Sequence, residues 1–453
     1  VTGQVVQAYK FAMDLTPAQG RDLSRHAGAA RLAYNWGLAR IKANLSQREA
    51  ERSYGIVNDD LTPPVNWSLY SLRREWNQAK HQVAPWWSEC SKEAYNTGLD
   101  QLARALKNWS DSSKGTRKGK RVGFPRFKSK RKATRSVRFT TGTIRVEADR
   151  RRLTLPKVGT LKTHESTRKL QRRIQVGTAR VLSVTVRQES GRWFASLTCR
   201  VDRNDPSPTR PDAVVGVDVG IKALAVLSDG TVVDNPHHHT NALRKLRRLS
   251  RTVSRRQGPD RRTGQAPSNR WHKANRTRNR VHHQVTNQRR DGLHKLTTEL
   301  AATHGTVVVE DLHVSGMLAN RKLARHVADA GFAEVRRQLT YKTQWRGGSL
   351  VVADRWFASS KTCSDCGAVK AKLALSERTF VCTECGVVLG RDLNAARNLA
   401  ALVERYVAGS GSETQNGRGA DRKTGLVPAG GCEAFTPHRD DSRVRRGLSP
   451  SNR

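Results

Sequence analysis

The chain has 453 residues, a formal net charge of +44 and a sequence pI near 11.1. Its 36% hydrophobic content can build cores in roughly two to four domains, whereas no apolar run approaches the ~18 residues of a membrane span and no secretory signal is recognisable. The excess of Lys and Arg indicates a polyanionic partner, with nucleic acid ahead of an acidic membrane surface because no basic amphipathic anchor stands out.

The first hundred residues predict a strand followed by a helical module. Residues 1–10 resemble a strand, and Thr16, Pro17 and Gln19 have the arrangement of a capping box that opens a helix. A later stretch, YNTGLDQLARALKNW, places apolar side chains on one helical face: Leu99, Leu102, Leu106 and Trp109. We therefore expect helices over residues 11–110.

Residues 111–134 form a basic segment with aromatic residues at its centre. Basic groups around exposed aromatic rings suit phosphate contact combined with base stacking. The residues predicted to contact nucleic acid here are Arg121, Phe124, Arg126, Phe127, Lys128 and Lys130. The alternative is a solvated run of charges whose two Phe belong to the core.

The middle of the chain changes to apolar–polar alternation over residues 135–202, and ESG between two such runs indicates a hairpin. We interpret this region as a small β-barrel completed by the N-terminal strand, with the helical module as an insertion. After a linker at 202–212 come strands around GVDVGIK, basic helices over 241–302, the buried strand of THGTVVVEDL and a closing helix. The Gly-, Ser- and Arg-rich segment 408–453 is predicted to be disordered.

Four of the seven cysteines form two C-x-x-C pairs, separated by fifteen residues and each followed by Gly. These residues are Cys363, Cys366, Cys382 and Cys385. The other three cysteines are scattered, which argues against a disulfide framework and for a reducing cytosol. Four thiolates at this spacing favour a tetrahedral, structural Zn²⁺ site over a redox C-x-x-C motif.

Three isolated acids stand at the edges of hydrophobic elements, whereas most other acids lie among Arg and Lys. Asp218 follows an apolar strand, Glu310 ends another, and Asp392 starts the closing helix. Carboxylates that converge in an RNase H-like sheet would hold Mg²⁺ or Mn²⁺ for phosphodiester cleavage. Alternatively, Asp218 caps a turn, Glu310 forms a strand-end ion pair and Asp392 is a helix N-cap; the neighbouring Asp311 competes with Glu310 for the role.

Several motifs, in the order GVDVGIK, VVVEDL, SSKTCSDCG with CTECG, and RDLNAARNL, resemble the TnpB family. Its members are RNA-guided DNA endonucleases encoded in IS200/IS605-type transposons and are similar to miniature type V CRISPR effectors. The resemblance extends upstream to GFPRFKSKR and LTLPKVG and covers about residues 1–405. It implies a multidomain α+β protein: a wedge β-barrel with an inserted helical recognition module, then an RNase H-like (RuvC) α/β domain with a zinc-ribbon insertion.

The resemblance also implies domain boundaries and site residues. The boundaries are 1–10 and 111–205 for the wedge barrel, 11–110 for the helical module, 211–357 and 391–407 for RuvC, 358–390 for the zinc ribbon and 408–453 for the tail. The catalytic acids fall on Asp218, Glu310 and Asp392, with Arg391 and Asn394 as supporting residues. The implied reader of a short DNA motif beside the target comprises Lys92, Asn96, Thr140 and Thr141.

The function implied is RNA-guided cleavage of double-stranded DNA by two-metal RuvC hydrolysis. The expected partners are a guide RNA and target DNA, with one protein per RNA, no membrane and no small-molecule substrate. The expected location is the bacterial cytoplasm, with nucleoid association when DNA is bound. The alternatives are a miniature type V CRISPR effector that uses a crRNA, a regulator of transposition or transcription without useful cleavage, and a guide-free resolvase or RNase H-like enzyme.

Overall fold

A computed structural model describes residues 2–130, 133–260, 262–374 and 376–409. Its elements up to the linker are β1 (Thr2–Asp14), α1 (Pro17–Ser53), α2 (Leu69–Val83), α3 (Lys92–Ser113), β2 (Ser136–Phe139), β3 (Arg145–Val146), β4 (Arg152–Leu155), β5 (Gly159–Thr163), α4 (Arg168–Gln175), β6 (Ala179–Glu189) and β7 (Arg192–Asn204). The remaining elements are β8 (Arg210–Asp218), β9 (Ala223–Leu227), β10 (Val232–Asp234), α5 (His238–Ser254), α6 (Asn269–Thr303), β11 (His304–Glu310), α7 (Val314–Ala319), α8 (Ala324–Ala330), α9 (Phe332–Trp345), β12 (Ser349–Ala353), β13 (Thr379–Val381), β14 (Val388–Gly390) and α10 (Arg391–Gly409).

The described residues divide into two compact units. The first unit runs to Pro206 and resumes over His237–Asp291, and the second takes Ser207–Pro236 and the residues from Gly292 on. Helix α6 therefore contributes its first part to one unit and its last turns to the other. Helix α10 extends to Gly409, so the prediction of disorder is wrong for residues 408 and 409, and from 410 on it lies outside the described residues.

The first unit contains a seven-stranded sheet in the order β2-β6-β7-β1-β5-β4-β3. Strand β1 pairs antiparallel with β7 from Thr2 to Ala12, so the N-terminus completes a sheet formed by residues far along the chain, as predicted. The predicted hairpin is also present, because β6 and β7 are joined by Ser190 and Gly191 with φ of 49° and 84°. Positive φ at both positions suits the tight turns that connect antiparallel strands.

Three helices of the first unit stand between β1 and β2. Thr16 accepts a hydrogen bond from the Gln19 amide at 3.3 Å, and the Gln19 side chain accepts one from the Thr16 amide at 3.1 Å, which confirms the capping box. The predicted apolar face of α3 is buried at Leu99, Leu102 and Leu106. This face packs into the unit's hydrophobic core together with α1 and the sheet.

The second unit is organised around a five-stranded sheet in the order β10-β9-β8-β11-β12. Strands β8, β11 and β12 are parallel, whereas β9 is antiparallel to β8 and β10 is antiparallel to β9. The β-branched run of β11 is buried on both faces of the sheet, as expected for a central parallel strand. Helices α6, α8 and α9 pack on one face, and α10 packs on the other.

Candidate active site and zinc centre

Two of the three candidate acids end neighbouring parallel strands of the second unit. Asp218 is the last residue of β8 and Glu310 the last of β11, and the pair before them, Val217 and Val309, is in direct register. Adjacent strands lie about 4.8 Å apart, so the two acids lie side by side at the ends of these strands, at the same edge of the sheet. This carboxyl-terminal edge is where open α/β sheets bind ligands.

The alternation of side chains along a strand decides which face the acids share. Val217 and Val309 belong to the core beneath α9, whereas Val308 packs with Leu399 of α10. Because successive side chains point to opposite faces, Asp218 and Glu310 project toward the α10 face. The third acid, Asp392, lies in the first turn of that helix.

A glycine allows α10 to lie close to β8. A Cβ atom on Gly216 would lie 1.9 Å from the carbonyl oxygen of Ala396 and 2.7 Å from the amide nitrogen of Ala400. Any side chain at this position would therefore push the helix away from the strand. Gly216 and Asp218 lie on the same face of β8, so this close packing brings the helix that carries Asp392 to the strand that carries Asp218.

The three carboxylates interact electrostatically. Burial, followed by the negative charges of Glu310 and Asp392, raises the pKa of Asp218 to about 7, while Arg391 and Arg378 act in the opposite direction. Like charges held together in a poorly solvated site favour a bound proton or a bound cation. The acids are nevertheless less tightly clustered than the cysteines, which form the one group of described residues with at least three possible ligand atoms all within 4.8 Å of one another.

Glu310 is held by a serine that the sequence analysis did not select. The Ser359 hydroxyl donates to the Glu310 carboxylate, and Ser359 is buried. The Ser359 backbone is fixed in turn, because Asn398 of α10 donates to its carbonyl oxygen at 2.8 Å. Helix α10 therefore supports Glu310 through this segment in addition to carrying Asp392.

The neighbouring acid, Asp311, is engaged elsewhere. Its carboxylate forms ion pairs with Arg336 and Arg355. Burial tends to raise its pKa, but hydrogen bonds and positive charges from these two arginines outweigh burial and lower it. The geometry therefore favours Glu310 over Asp311 as the member of the carboxylate group.

The two predicted supporting residues have different surroundings. Arg391 donates to the Ala374 carbonyl at 2.8 Å, and its positive charge also acts on Asp218. Asn394 is buried, donates to the Thr362 carbonyl at 2.7 Å and accepts from the Ser364 amide at 2.9 Å. Both ends of its amide are thus used in fixing the segment that leads into the cysteines, which leaves no amide end directed at a substrate phosphate.

The four cysteines meet as predicted. The Sγ atoms of Cys363 and Cys385 are 3.6 Å apart, as are those of Cys366 and Cys382. Zn–S bonds of about 2.3 Å in a tetrahedron place sulfur atoms about 3.8 Å apart, so the cluster fits structural zinc. The glycines after each pair, Gly367 and Gly386, have φ of 78° and 73°, a conformation that explains why glycine occupies both positions.

The cysteine module leads directly into the third acid. Strands β13 and β14 pair as a hairpin whose connecting segment carries the last two cysteines, and α10 begins at the residue after β14. The Arg391 amide donates to the Arg378 carbonyl at 2.8 Å, and the Arg378 side chain lies 4.0 Å from the Asp392 carboxylate. The hairpin thus fixes the first turn of α10, where Asp392 lies.

The basic segment of the first unit is partly anchored. Phe124 packs edge-on against Trp109 with ring centroids 4.9 Å apart, whereas Phe127 remains 53% exposed. Lys128 lies 3.9 Å from the centre of the Tyr34 ring, and burial lowers its pKa to about 8. The remaining basic residues of the predicted contact set are exposed: Arg121, Arg126 and Lys130. Phe124 therefore fits the core alternative, and the other aromatic ring is available to a ligand.

The predicted motif-reading residues surround a buried acid that sequence reasoning missed. Glu93 accepts from the Thr140 amide at 3.0 Å, the Thr140 hydroxyl at 2.6 Å and the Thr141 hydroxyl at 2.9 Å. Burial tends to raise the pKa of Glu93, but these hydrogen bonds and one from Asn96 lower it overall. Lys92 is exposed beside this network. Glu93 thus ties three of the four residues together.

The fold and the site define a protein with a mixed sheet, whose neighbouring parallel strands β8 and β11 end in carboxylates, and with a four-cysteine module. Family models match it as "Probable transposase" of the OrfB_IS605 type over residues 184–321, "Cas12f1-like, TNB domain" over 332–399 and "Helix-turn-helix domain" over 5–50. The last of these covers most of β1 and α1, which here form a strand and one long helix.

Relatives of known name cover almost the entire chain. A Mycobacterium tuberculosis protein named "Putative RNA-guided DNA endonuclease" is 44% identical, spanning 98% of this chain and 97% of the relative. Escherichia coli InsQ, which has the same descriptive name, is 32% identical over 91% of this chain and 96% of the relative. The chain therefore belongs to the TnpB family of IS605-type transposons, which confirms the resemblance seen in its motifs.

One solved structure supports the fold independently of sequence. The cryo-EM structure of a Cas12f1–sgRNA–target DNA complex has a TM-score of 0.50 and 13% identity, and the match covers 88% of this chain and 99% of that chain. At this identity the likeness concerns the fold alone. Within the described residues no helix is both long and apolar enough to cross a membrane.

Proposed function

We propose that the protein is an RNA-guided DNA endonuclease that cuts through a RuvC-type carboxylate site. The observation that carries the proposal is the shared position of Asp218 and Glu310 at the ends of neighbouring strands, on the face covered by the helix of Asp392. The names of the M. tuberculosis and E. coli relatives support the guided reaction on DNA, and the Cas12f1 structure, which shares the fold, contains an sgRNA and target DNA.

The architecture fits this assignment. The five-stranded sheet with helices on both faces is the RNase H-like domain, and the cysteine module between β12 and α10 is its zinc-ribbon insertion. The seven-stranded sheet of the first unit is the wedge domain, interrupted after β1 by the helical recognition module α1–α3. The domain boundaries expected from the sequence belong to this proposal, with two corrections: β1 extends to Asp14 instead of ending at residue 10, and α3 extends to Ser113 instead of ending by residue 110.

The donor set suits hard divalent cations. Carboxylate oxygens are the ligands that Mg²⁺ and Mn²⁺ prefer, and the raised pKa of Asp218 reflects the repulsion that a cation would relieve. Asp218, Glu310 and Asp392 would hold the metal. When bound, a pair of such cations would polarise the attacking water and stabilise the leaving oxygen of the scissile phosphate.

The protein's own residues act by positioning and charge. The negative charges of Glu310 and Asp392 act on Asp218, and Ser359 fixes one oxygen of Glu310 by donating a hydrogen bond to it. Arg391 and Arg378 place positive charge beside the acids, where a DNA phosphate would enter. Asn394 acts as a positioning residue, because it holds the zinc-ribbon segment against α10.

Guide RNA and target DNA would bind to the basic surface of the chain. Exposed Arg121, Arg126 and Lys130 with Phe127 would contact nucleic-acid backbone and bases. Lys92, together with the Glu93-linked side chains Asn96, Thr140 and Thr141, would read the DNA beside the target.

The test is cleavage of a guide-matched duplex by the full chain purified with its guide RNA. Asp218→Asn and Glu310→Gln should each lower the Mg²⁺-dependent cleavage rate by at least about 100-fold, because each removes a charged ligand of the cations that would act on the reacting phosphate. Retention of guide RNA should stay unchanged. Asp234→Asn is the matched control, since this exposed acid lies in the same sheet at β10.

The outcomes are distinct. A variant at Asp218 or Glu310 that cuts at the wild-type rate would show that the carboxylates are not the catalytic group. A wild-type complex that binds the guide-matched duplex in Mg²⁺ without nicking either strand would instead identify a nucleic-acid-binding regulator.

A further inference from the structure

One large aromatic side chain of the second unit is left in solvent on the segment that contacts Glu310. Trp356 is 80% exposed, although tryptophan is a residue that proteins usually bury to a large degree. It lies three residues beyond Ala353, which is paired in register with Glu310. Three residues further on, Ser359 donates to the Glu310 carboxylate. The residues three positions before and three positions after the exposed indole, Ala353 and Ser359, are therefore both tied to Glu310.

The backbone that carries Trp356 is fixed on both sides. The Trp356 amide donates to the Asp354 carboxylate at 2.8 Å, and the Phe357 amide donates to the Asp354 carbonyl at 3.0 Å. Phe357 packs against the core beneath α10, next to Val308. The exposure of Trp356 is thus a consequence of a defined turn.

A second anchor joins this turn to the strand of Glu310. The Arg355 guanidinium donates to the Asp311 carboxylate at 2.5 Å, and its Nε donates to the Asp311 carbonyl at 3.3 Å. Arg355 and Asp354 are both exposed, so charged groups flank the indole in the sequence. A lone aromatic ring between charges differs from the contiguous apolar patch that marks a protein partner.

We infer that Trp356 is a stacking platform for a nucleobase of the DNA strand whose phosphate reaches the carboxylates. This inference rests on the proposed function. Unpaired bases stack on exposed aromatic rings whatever their identity, because every base has a π-face, and such stacking suits an enzyme whose target sequence is set by its guide. The stacked base holds the adjacent phosphate in place, so Trp356 is a positioning residue.

The experiment uses the full chain with its guide RNA and a target duplex carrying 2-aminopurine next to the scissile phosphate. With Ca²⁺ in place of Mg²⁺, the fluorescence of 2-aminopurine should be quenched in the wild type and in Trp356→Phe, and largely restored in Trp356→Leu. With Mg²⁺, Trp356→Leu should cut roughly tenfold more slowly, while Trp356→Phe stays within about threefold of the wild type.

Leu retains apolar bulk without a π-face, so the pair of variants separates stacking from hydrophobic contact. Tyr54→Leu is the matched control, because Tyr54 is an aromatic residue with 86% exposure in the other unit and should keep both signals unchanged. Equal quenching and equal cutting by Trp356→Leu in an active enzyme would overturn this inference alone. A wild-type complex that does not cut would overturn the proposed function and this inference with it.

Discussion

In the candidate site, the environment of Asp218 differs strongly from that of an aspartic acid in water. Burial and the charges of Glu310 and Asp392 raise its pKa from 3.8 to about 7. The folded protein therefore binds a proton at Asp218 more tightly than the unfolded chain does. The stability cost of ionising this residue is absent below pH 4, grows as pH rises toward 7 and is complete above it.

The raised pKa of Asp218 predicts that Asp218→Asn stabilises the protein when no Mg²⁺ or Mn²⁺ is present. At pH 8 the variant should be more stable by on the order of 2 kcal/mol, and at pH 4 the two proteins should unfold alike. Thermal unfolding followed by circular dichroism across this range measures the effect. Added Mg²⁺ should raise the melting temperature of the wild type at pH 8 and leave that of the variant nearly unchanged.

The control for this prediction is Asp234→Asn, because Asp234 is exposed at the edge strand β10. Its melting temperature should follow that of the wild type at every pH. If Asp218→Asn and the wild type show the same pH dependence, the carboxylates do not repel one another in the folded protein.

Single residues also mark the limit of what the sequence reveals. The chemistry of the acids is visible in isolation, because an acid at the end of an apolar strand is unusual. The role of Asn394 cannot be predicted in this way, since it depends on a hydrogen bond to the carbonyl of Thr362, thirty-two residues earlier. Likewise, the sequence does not show that the hydroxyls of Thr140 and Thr141 donate hydrogen bonds to the carboxylate of Glu93, which lies on α3.

At the scale of elements, local signals predicted most of the framework. The capping box at Thr16 and the hairpin at Ser190 are set by neighbouring residues, and both are present. The close packing of α10 on β8 depends on Gly216 meeting Ala396, which are 180 residues apart in the chain. Sequence patterns therefore predicted which elements form, whereas the contacts that bring Asp392 to its strand required the structure.

The four-cysteine module is continuous with α10, and this predicts that loss of zinc from the proposed site impairs cleavage. Cys382→Ser removes one of four thiolates, so bound zinc should fall from one per chain to well below one. Because β14 runs directly into the helix of Asp392, the cleavage rate should fall at least tenfold while guide RNA remains bound. Metal content by plasma emission spectroscopy and cleavage of guide-matched DNA measure the two effects.

Cys90→Ala provides the comparison, because Cys90 is a buried, free cysteine of the first unit. This variant should keep one zinc per chain and cut DNA at close to the wild-type rate. A Cys382→Ser protein that lacks zinc yet cuts normally would show that the ribbon does not position Asp392.

At the scale of the whole molecule, the dominant property is charge. The chain has 83 Lys and Arg against 39 Asp and Glu. The ion pairs that the acids form in the described residues, such as those of Arg25 and Arg104, lie mostly at the surface and stabilise the fold little. The unbalanced positive charge instead repels itself in the free protein and is neutralised when nucleic acid binds.

This charge predicts opposite responses to salt in the free protein and in its RNA complex. Each RNA phosphate neutralised contributes about −0.7 to the slope of log affinity against log salt, so ten contacts would weaken guide binding roughly a thousandfold between 0.1 and 0.3 M KCl. Filter binding measures this slope. Over the same range the melting temperature of the free protein should rise, because salt screens its self-repulsion, whereas that of the complex should fall as RNA dissociates.

Sucrose at equal osmolality is the control and should leave guide affinity nearly unchanged. A slope near zero would mean that the excess of Arg and Lys does not contact the guide.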